Sequence, residues 1–150
     1  MSLVAGLLTA CSGQFWVNTL TPPWGHTRHA DIAYGELARQ HLDVYTPSEP
    51  APGRPVMVFF YGGSWQEGNK DGYRFVGQAL ASRGITAVIP DYRLYPQVTF
   101  PGFIEDGAAA VACTRAHIGD YGGNEQNLFL AGHSAGAHIA AMLAVAPDYL

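Results

Sequence analysis

The chain has 150 residues, of which 48% are hydrophobic and 13% are charged, and its formal net charge is −4. This length and composition predict one globular domain with a substantial core, and they exclude an intrinsically disordered segment. The weakly acidic balance and the lack of a lysine- or arginine-rich stretch argue against a nucleic-acid-binding protein. The two cysteines, Cys11 and Cys113, are too far apart in sequence to indicate a metal site or a disulfide framework.

The N-terminus is a short apolar stretch that ends at Cys11. It is too short to span a bilayer, which needs about 20 apolar residues. Leu8-Thr-Ala-Cys11 resembles the lipobox of bacterial lipoproteins, in which the cysteine is lipidated, although no positive charge precedes it. Two alternatives stay open: an exported protein attached to the membrane through Cys11, and a cytoplasmic protein. We assign residues 1–28 to a signal-like or irregular segment and residues 29–150 to the main domain.

The next segments carry two kinds of strand pattern. Two of them alternate apolar and polar residues, which is typical of half-buried strands, and we expect them at an antiparallel edge of a sheet: His29–Tyr34 and His41–Tyr45. Three later runs are continuously apolar, which is typical of parallel strands buried on both faces: Pro55–Tyr61, Ile85–Ile89 and Leu128–Ala131.

Helical periodicity separates and follows these apolar runs. One predicted helix contains Tyr73 to Leu80, with Asp71 as its N-cap and Gly84 just beyond its end. A second contains Ile104 to Ala112, and a third runs from Ser134 to the stop at Pro147. The alternation of strands and helices predicts an α/β fold with a mostly parallel sheet that is covered by helices on both faces.

The sequence Gly132-His-Ser-Ala-Gly136 joins the last apolar run to the last helix. A serine in this strand–turn–helix context indicates a nucleophile elbow, in which a strained turn exposes the hydroxyl at the edge of the sheet. Glycines on either side allow the backbones to pass closely. The alternative is that Ser134 is an ordinary helix N-cap. We predict that Ser134 is a nucleophile.

A second glycine-containing segment, Tyr61-Gly-Gly-Ser-Trp65, follows the first apolar run. An elbow needs backbone donors for the negative oxygen of the reaction intermediate, and in this topology one of them comes from the loop after this strand. We predict the amides of Gly63, Ser64 and Ala135 as the oxyanion hole. Trp65 either forms a wall of the acyl pocket or packs in the core.

Three segments together resemble the α/β-hydrolases of the esterase/lipase superfamily that have a G-G-x-W loop: Y-G-G-S-W-Q-E-G-N-K, D-Y-R-L-Y-P followed by F-P-G-F-I-E-D, and Y-G-G-N with L-F-L-A-G-H-S-A-G-A-H-I-A-A. Carboxylesterases, isoprenylcysteine methylesterase-like and kynurenine formamidase-like proteins share these features. Many relatives have histidine at the first loop position, whereas Tyr61 is similar to the methylesterase-like branch. The resemblance implies a serine hydrolase of small carboxylic esters that forms an acyl-enzyme and needs no cofactor or metal. An arylformamidase-type amide hydrolase is the alternative.

The resemblance also covers residues to which we assign a structural role, namely hydrogen bonds within loops and a charge pair near a helix: Asp91, Tyr92, Arg93 and Asp106.

The general base and its carboxylate are not evident in the sequence. In this fold they follow the nucleophile in the order acid, then histidine. After Ser134 the chain has only His138 and then Asp148, which is the reverse order. We therefore expect the chain to be the N-terminal part of a longer α/β-hydrolase whose missing C-terminal strands carry both residues. Alone it would be inactive and marginally folded, with the strand at Leu128–Ala131 as an uncovered edge. The alternative is a non-catalytic truncated hydrolase or lipoprotein.

Overall fold

The computed structural model describes residues 13–49 and 51–150. Cys11 and the lipobox-like sequence lie outside the described residues, so lipid attachment stays a prediction. The expectation of an irregular segment up to residue 28 is wrong in part, because α1 (Gly13–Leu20) is a helix. The Asn18 side chain anchors α1 to the main domain through the Gly72 carbonyl oxygen (2.8 Å) and the Phe75 amide (3.1 Å). Among the described helices, none is long and apolar enough to cross a membrane.

Five strands form one sheet in the order β1-β2-β4-β3-β5. The first two strands form the antiparallel edge that their alternating pattern predicts, and β2 is also antiparallel to β4. Strands β4, β3 and β5 are parallel to one another. The described sheet is therefore mixed rather than mostly parallel. The strands are β1 (His26–Ala33), β2 (His41–Pro47), β3 (Arg54–Phe60), β4 (Thr86–Pro90) and β5 (Gly123–Gly132).

Helices cover both faces of the sheet, as predicted. On one face, α2 (Arg74–Ala81) brings Gly77 against the ring of Tyr45 on β2. On the other face, Gly107 of α3 (Gly102–His117) lies against Phe60 of β3 and against α4 (Ala135–Val145). Successive side chains of a strand point to opposite faces, so β3 contributes to both layers of the core.

The start of α2 differs from the prediction. A 3-10 turn, Lys70–Tyr73, precedes the helix, and its N-cap is Asn69, whose side chain accepts a hydrogen bond from the Gly72 amide (2.9 Å). Asp71 does not cap the helix; its carboxylate instead pairs with Arg28 on β1 (2.5 Å). This partner lies 43 residues earlier in the chain, so no local pattern could reveal it.

Strand β5 lies at the edge of the described sheet, where its only neighbour is β3. Phe129 is 51% exposed there, and Val145 of the adjacent α4 is 75% exposed. The predicted uncovered edge is thus confirmed for the described part of the chain. An apolar edge strand of this kind is a site where further chain pairs or where aggregation begins.

Arg93 and Asp106 form the charge pair expected near a helix. The Arg93 guanidinium donates from Nε and Nη2 to the Asp106 carboxylate (both 2.8 Å), and the Arg93 amide donates to Oδ2 (2.8 Å). Asp106 is 1% exposed. Burial alone would raise the pKa of Asp106, but the hydrogen bonds from Arg93 and Gln40 outweigh burial and hold the pKa below its ordinary value.

This depressed pKa predicts acid-sensitive stability. The unfolded-state pKa of an aspartate is about 3.9, so the ionised carboxylate stabilises the fold at neutral pH and this contribution is lost as the pH falls below about 4. We expect Asp106→Asn to lower the free energy of unfolding by about 2 kcal/mol at pH 7 and to flatten its decline between pH 5 and 3. Urea denaturation across this range measures both effects. Glu105→Gln, the same change at the exposed neighbouring position, is the control, and an equal effect there would contradict the assignment.

Candidate active site

Ser134 lies in a strained turn between β5 and α4, with φ 52° and ψ −117°. An ordinary N-cap residue has extended backbone and bonds an amide of the first turn through its side chain, and Ser134 does neither. A non-glycine residue in such a conformation costs about 1–3 kcal/mol. Ser134 is exposed, and its hydroxyl makes no hydrogen bond within residues 13–49 and 51–150. The geometry therefore disfavours the helix-cap alternative and leaves the hydroxyl available for a ligand.

The two glycines of the motif are required by close backbone packing. A Cβ on Gly132 would overlap the Gly136 carbonyl group, and a Cβ on Gly136 would overlap the carbonyl oxygens of Phe60 and Tyr61. The first turn of α4 thus rests directly on the end of β3. This close contact sets the angle at which the chain turns from strand into helix, and so the position of Ser134.

The loop after β3 leaves the sheet beside Ser134. Phe60 and Gly132 are partners in the parallel pairing of β3 and β5, and the His133 amide donates to the Phe60 carbonyl oxygen (3.0 Å). A Cβ on Gly62 would lie 3.1 Å from the Cβ of Ser134. Gly62 therefore allows the loop to touch the elbow, because a Cβ there would also lie 2.9 Å from the His133 carbonyl oxygen.

The amides of Gly63, Ser64 and Ala135, the predicted oxyanion donors, make no hydrogen bond within the part of the chain that the structure describes. Gly63, Ser64 and Trp65 have φ values of 134°, 53° and 58°, so the loop holds three consecutive residues in an unusual conformation. The Ala135 amide is at the N-terminus of α4, where the helix dipole favours negative charge. Among the described residues these donors have no partner, as an anion-binding role requires.

Trp65 joins the loop to both helices on its face of the sheet. Its indole ring lies 6.0 Å from the ring of Phe103 on α3 and 5.5 Å, edge to face, from that of His138 on α4. Its carbonyl oxygen accepts from the Tyr95 amide (2.7 Å), whereas its indole nitrogen is buried without a partner among the described residues. Trp65 is therefore placed by ring contacts, and its role as an acyl-pocket wall stays a prediction.

No histidine side chain among the described residues hydrogen-bonds the Ser134 hydroxyl; the His138 amide bonds only the Ser134 carbonyl oxygen (3.2 Å). His138 packs against Trp65, and His133 lies with Nδ1 3.2 Å from the Tyr73 hydroxyl. Asp148 lies in a 3-10 turn, Pro147–Tyr149, beyond the far end of α4. The expectation that neither His138 nor Asp148 serves the elbow is consistent with these positions.

Sequence reasoning missed two residues near the site. Tyr73, which the helical pattern predicts only as a core residue, places its hydroxyl 3.4 Å from the Gly62 amide. Arg39, in the β1–β2 connection, bonds the Tyr61 hydroxyl (2.6 Å) and the Gly68 carbonyl oxygen (2.8 Å). No motif surrounds Arg39, so only the tertiary structure reveals it.

Comparison with known proteins identifies the family of this site. The BD-FAE family model matches residues 42–149, which include the elbow and the loop after β3. The chain belongs to the BD-FAE family. Together with the relatives and the solved structure described next, this match confirms the resemblance to the esterase branch of the α/β-hydrolases.

Relatives of this BD-FAE chain include enzymes of two kinds. It is 41% identical over 110 residues to a probable isoprenylcysteine alpha-carbonyl methylesterase of Oryza sativa subsp. japonica, covering 73% of this chain and 26% of the relative. It is 34% identical over 113 residues to a kynurenine formamidase of Danio rerio, covering 75% and 37%. The chain thus spans only about a quarter to a third of the length of these relatives.

A solved structure supports the BD-FAE fold. Esterase B from Lactobacillus rhamnosis superposes with a TM-score of 0.83 at 25% identity, covering 93% of this chain and 46% of that one. Almost all of this chain therefore has a counterpart in roughly half of an esterase. The predicted α/β-hydrolase fold is confirmed, and the chain represents part of it.

Proposed function

We propose that this protein is a serine hydrolase that cleaves small carboxylic esters through an acyl-enzyme on Ser134. The observation that carries the proposal is the strained, exposed and uncapped turn at Ser134, beside a loop whose Gly63 and Ser64 amides have no partner among the described residues. The methylesterase and esterase relatives support an ester substrate.

The reaction follows from these positions. The Ser134 oxygen attacks the ester carbonyl carbon while a general base takes the hydroxyl proton. The carbonyl oxygen becomes negative and accepts hydrogen bonds from the amides of Gly63, Ser64 and Ala135. The C–O bond to the alcohol then breaks, and the alcohol leaves with the proton held by the base. Water, activated by the same base, releases the acid and restores Ser134.

We further propose that the base and its carboxylate come from outside residues 1–150. A serine hydroxyl near neutral pH needs such a base. No histidine side chain among the described residues hydrogen-bonds the Ser134 hydroxyl, and the chain covers only 26% of the methylesterase relative. The missing residues would then belong to the part of the fold that pairs with the open edge of β5.

An arylformamidase activity is the second candidate, because the kynurenine formamidase relative matches 75% of this chain. The acyl-enzyme route would be the same, with an amine in place of the alcohol as the leaving group. The substrate preference depends on the acyl pocket and the leaving-group side of the site, where Trp65 is the one residue that the sequence singles out.

Expression of residues 1–150 beside the longest chain encoded by the same reading frame tests these proposals. We expect the longer chain to hydrolyse p-nitrophenyl acetate and to prefer short esters over an aryl formamide by about tenfold or more in kcat/KM. Residues 1–150 alone should show no turnover that depends on Ser134. Turnover by residues 1–150 at the rate of an intact esterase would contradict the external base. An inactive longer chain would contradict the hydrolase assignment, and a preference for the formamide would favour the second candidate.

A further inference from the structure

The segment of residues 62–69, here called the oxyanion loop, closes on itself at its base. Gly68 has φ 101°, and a Cβ at this position would lie 2.8 Å from the Gly62 carbonyl oxygen and 2.9 Å from the ring of Tyr61. Gly62 and Gly68, near the two ends of the loop, are therefore in contact. Whatever holds this contact also holds the Gly63 and Ser64 amides in place beside Ser134.

Asp91 bonds both ends of the oxyanion loop with one oxygen atom. Its Oδ1 accepts from the Tyr61 hydroxyl (2.9 Å), just before the loop, and from the Lys70 amide (2.8 Å), just after it. Asp91 directly follows β4, the parallel neighbour of β3. A carboxylate at the end of one strand thus fastens the loop that grows from the next strand.

Arg39 makes a second bridge across the same two ends. Its Nη2 donates to the Tyr61 hydroxyl (2.6 Å) and to the Gly68 carbonyl oxygen (2.8 Å), and its Nε donates to the Tyr92 carbonyl oxygen (2.8 Å). Nη2 is also 3.7 Å from Oδ1 of Asp91. The guanidinium is rigid and always charged, so it fixes these acceptors relative to one another.

The Tyr61 hydroxyl is the atom that both bridges share, because it accepts from Arg39 and donates to Asp91. The ring is fully buried and stacks on Tyr92 at 4.7 Å, with 19° between the ring planes. Burial raises the pKa of Tyr61 far above its ordinary value, so the hydroxyl keeps its proton and its donor role at all working pH values.

The side chain of Lys70, the residue that follows the oxyanion loop, also anchors the end of the loop. Lys70 is 4% exposed, and its Nζ lies 3.0 Å from the fully buried Asp43 on β2 and 2.6 Å from Asp31 on β1. The residue after the loop is therefore a fixed point of the sheet. Both ends of the loop are therefore anchored to the sheet.

We propose that Arg39, Tyr61 and Asp91 form a clasp that positions the oxyanion loop against Ser134. They are positioning residues, because their hydrogen bonds go to Gly68 in the loop and to Tyr61 and Lys70 on either side of it. The catalytic consequence rests on the proposed function, whereas the effect of the clasp on the loop does not. Gly62 directly follows Tyr61 of the clasp and lies against Ser134, so a single loop residue links the clasp to the elbow.

Hydrogen exchange measured by mass spectrometry tests the clasp independently of catalysis. Tyr61→Phe removes the shared hydroxyl and keeps the stacked ring. We expect the hydrogen-bonded amides of the loop, those of Gly62, Gln66 and Glu67, to exchange about tenfold faster, the factor that loss of one hydrogen bond to a charged group produces, while amides of β4 keep their protection. Tyr45→Phe is the matched control, because Tyr45 is also buried and its hydroxyl has, among the described residues, only one hydrogen bond, a long one of 3.5 Å to Asp43. Unchanged exchange of the loop in Tyr61→Phe would overturn the proposal.

Asp91 supplies a second variant pair. Asp91→Asn keeps an oxygen acceptor and should speed the exchange of the loop less than Asp91→Ala does. In the hydrolytically active chain, we expect Tyr61→Phe to lower kcat about tenfold or more with KM within about threefold, because the displaced amides act in the transition state. A normal kcat with a loosened loop would overturn the positioning role. If the parent protein hydrolyses no ester, the proposed function fails, and the exchange measurement still decides whether the clasp holds the loop.

Discussion

Ser134→Ala is expected to lower the kcat for ester hydrolysis by about 10⁴-fold or more, because it removes the atom that forms the acyl-enzyme and leaves the rest of the site in place. The measurement is p-nitrophenyl acetate hydrolysis by the chain that carries the general base. Ser48→Ala, the same change at an exposed serine just after β2, is the control and should retain full activity. A Ser134→Ala variant with substantial turnover would show that another group is the nucleophile.

The same position gives a stability comparison that does not need activity. Alanine retains the strain of φ 52°, whereas glycine relieves it. We therefore expect the free energy of unfolding of Ser134→Gly to exceed that of Ser134→Ala by about 1 kcal/mol. This difference already includes the opposing effect of glycine, whose greater flexibility stabilises the unfolded chain. Urea denaturation measures the difference. Equal stability of the two variants would mean that the turn is relaxed and that the fold does not impose an elbow.

Gly136→Ala adds a single methyl group and is expected to destabilise the protein by about 3 kcal/mol or more, which is more than we expect for the other variants proposed. The added Cβ would overlap the carbonyl oxygens of Phe60 and Tyr61, and backbone atoms at the end of β3 cannot rotate away as a side chain would. The first turn of α4 would have to rise off β3, which would also move Ser134 away from the loop.

Gly119→Ala is the matched control, because a Cβ at Gly119 would have no heavy atom within 4 Å. We expect this variant to change the unfolding free energy by no more than about 0.5 kcal/mol. The midpoint of urea denaturation, followed by circular dichroism, compares the two. Similar midpoints would contradict the close approach of α4 to β3 and, with it, the geometry proposed for the elbow.

Strain and free amides coincide in this protein. Of the four described non-glycine residues with positive φ, Ser64 and Trp65 lie in the loop after β3 and Ser134 lies in the elbow, whereas Asp31 lies on β1. Residues in such conformations persist only where the surroundings hold them. The close glycine contacts hold the elbow, and the clasp holds the loop. The stabilising contacts are thus made by residues that neighbour Ser134 and the loop amides, and not by the groups to which we assign chemistry.

Patterns within short stretches of sequence determined much of this protein. The alternation in β1 and β2, the apolar runs of β3 and β4 and the G-x-S-x-G turn each depend on neighbours a few residues apart, so they specified strands, helices and the place of Ser134. Composition argued against a nucleic-acid binder in the same way, because the lysine and arginine content is read without knowing which residues are in contact.

Only the tertiary structure showed which side chains form ion pairs and hydrogen bonds with one another. Asp71 pairs with Arg28 rather than capping α2, and Arg39 reaches Tyr61 and Gly68 from a connection that carries no motif. It also showed that the hydroxyl of Ser134 caps no helix and that Gly62 touches the elbow. These contacts join residues that are distant in sequence. They depend on the order in which the strands assemble into the sheet, and local hydrophobic periodicity contains no information about that order.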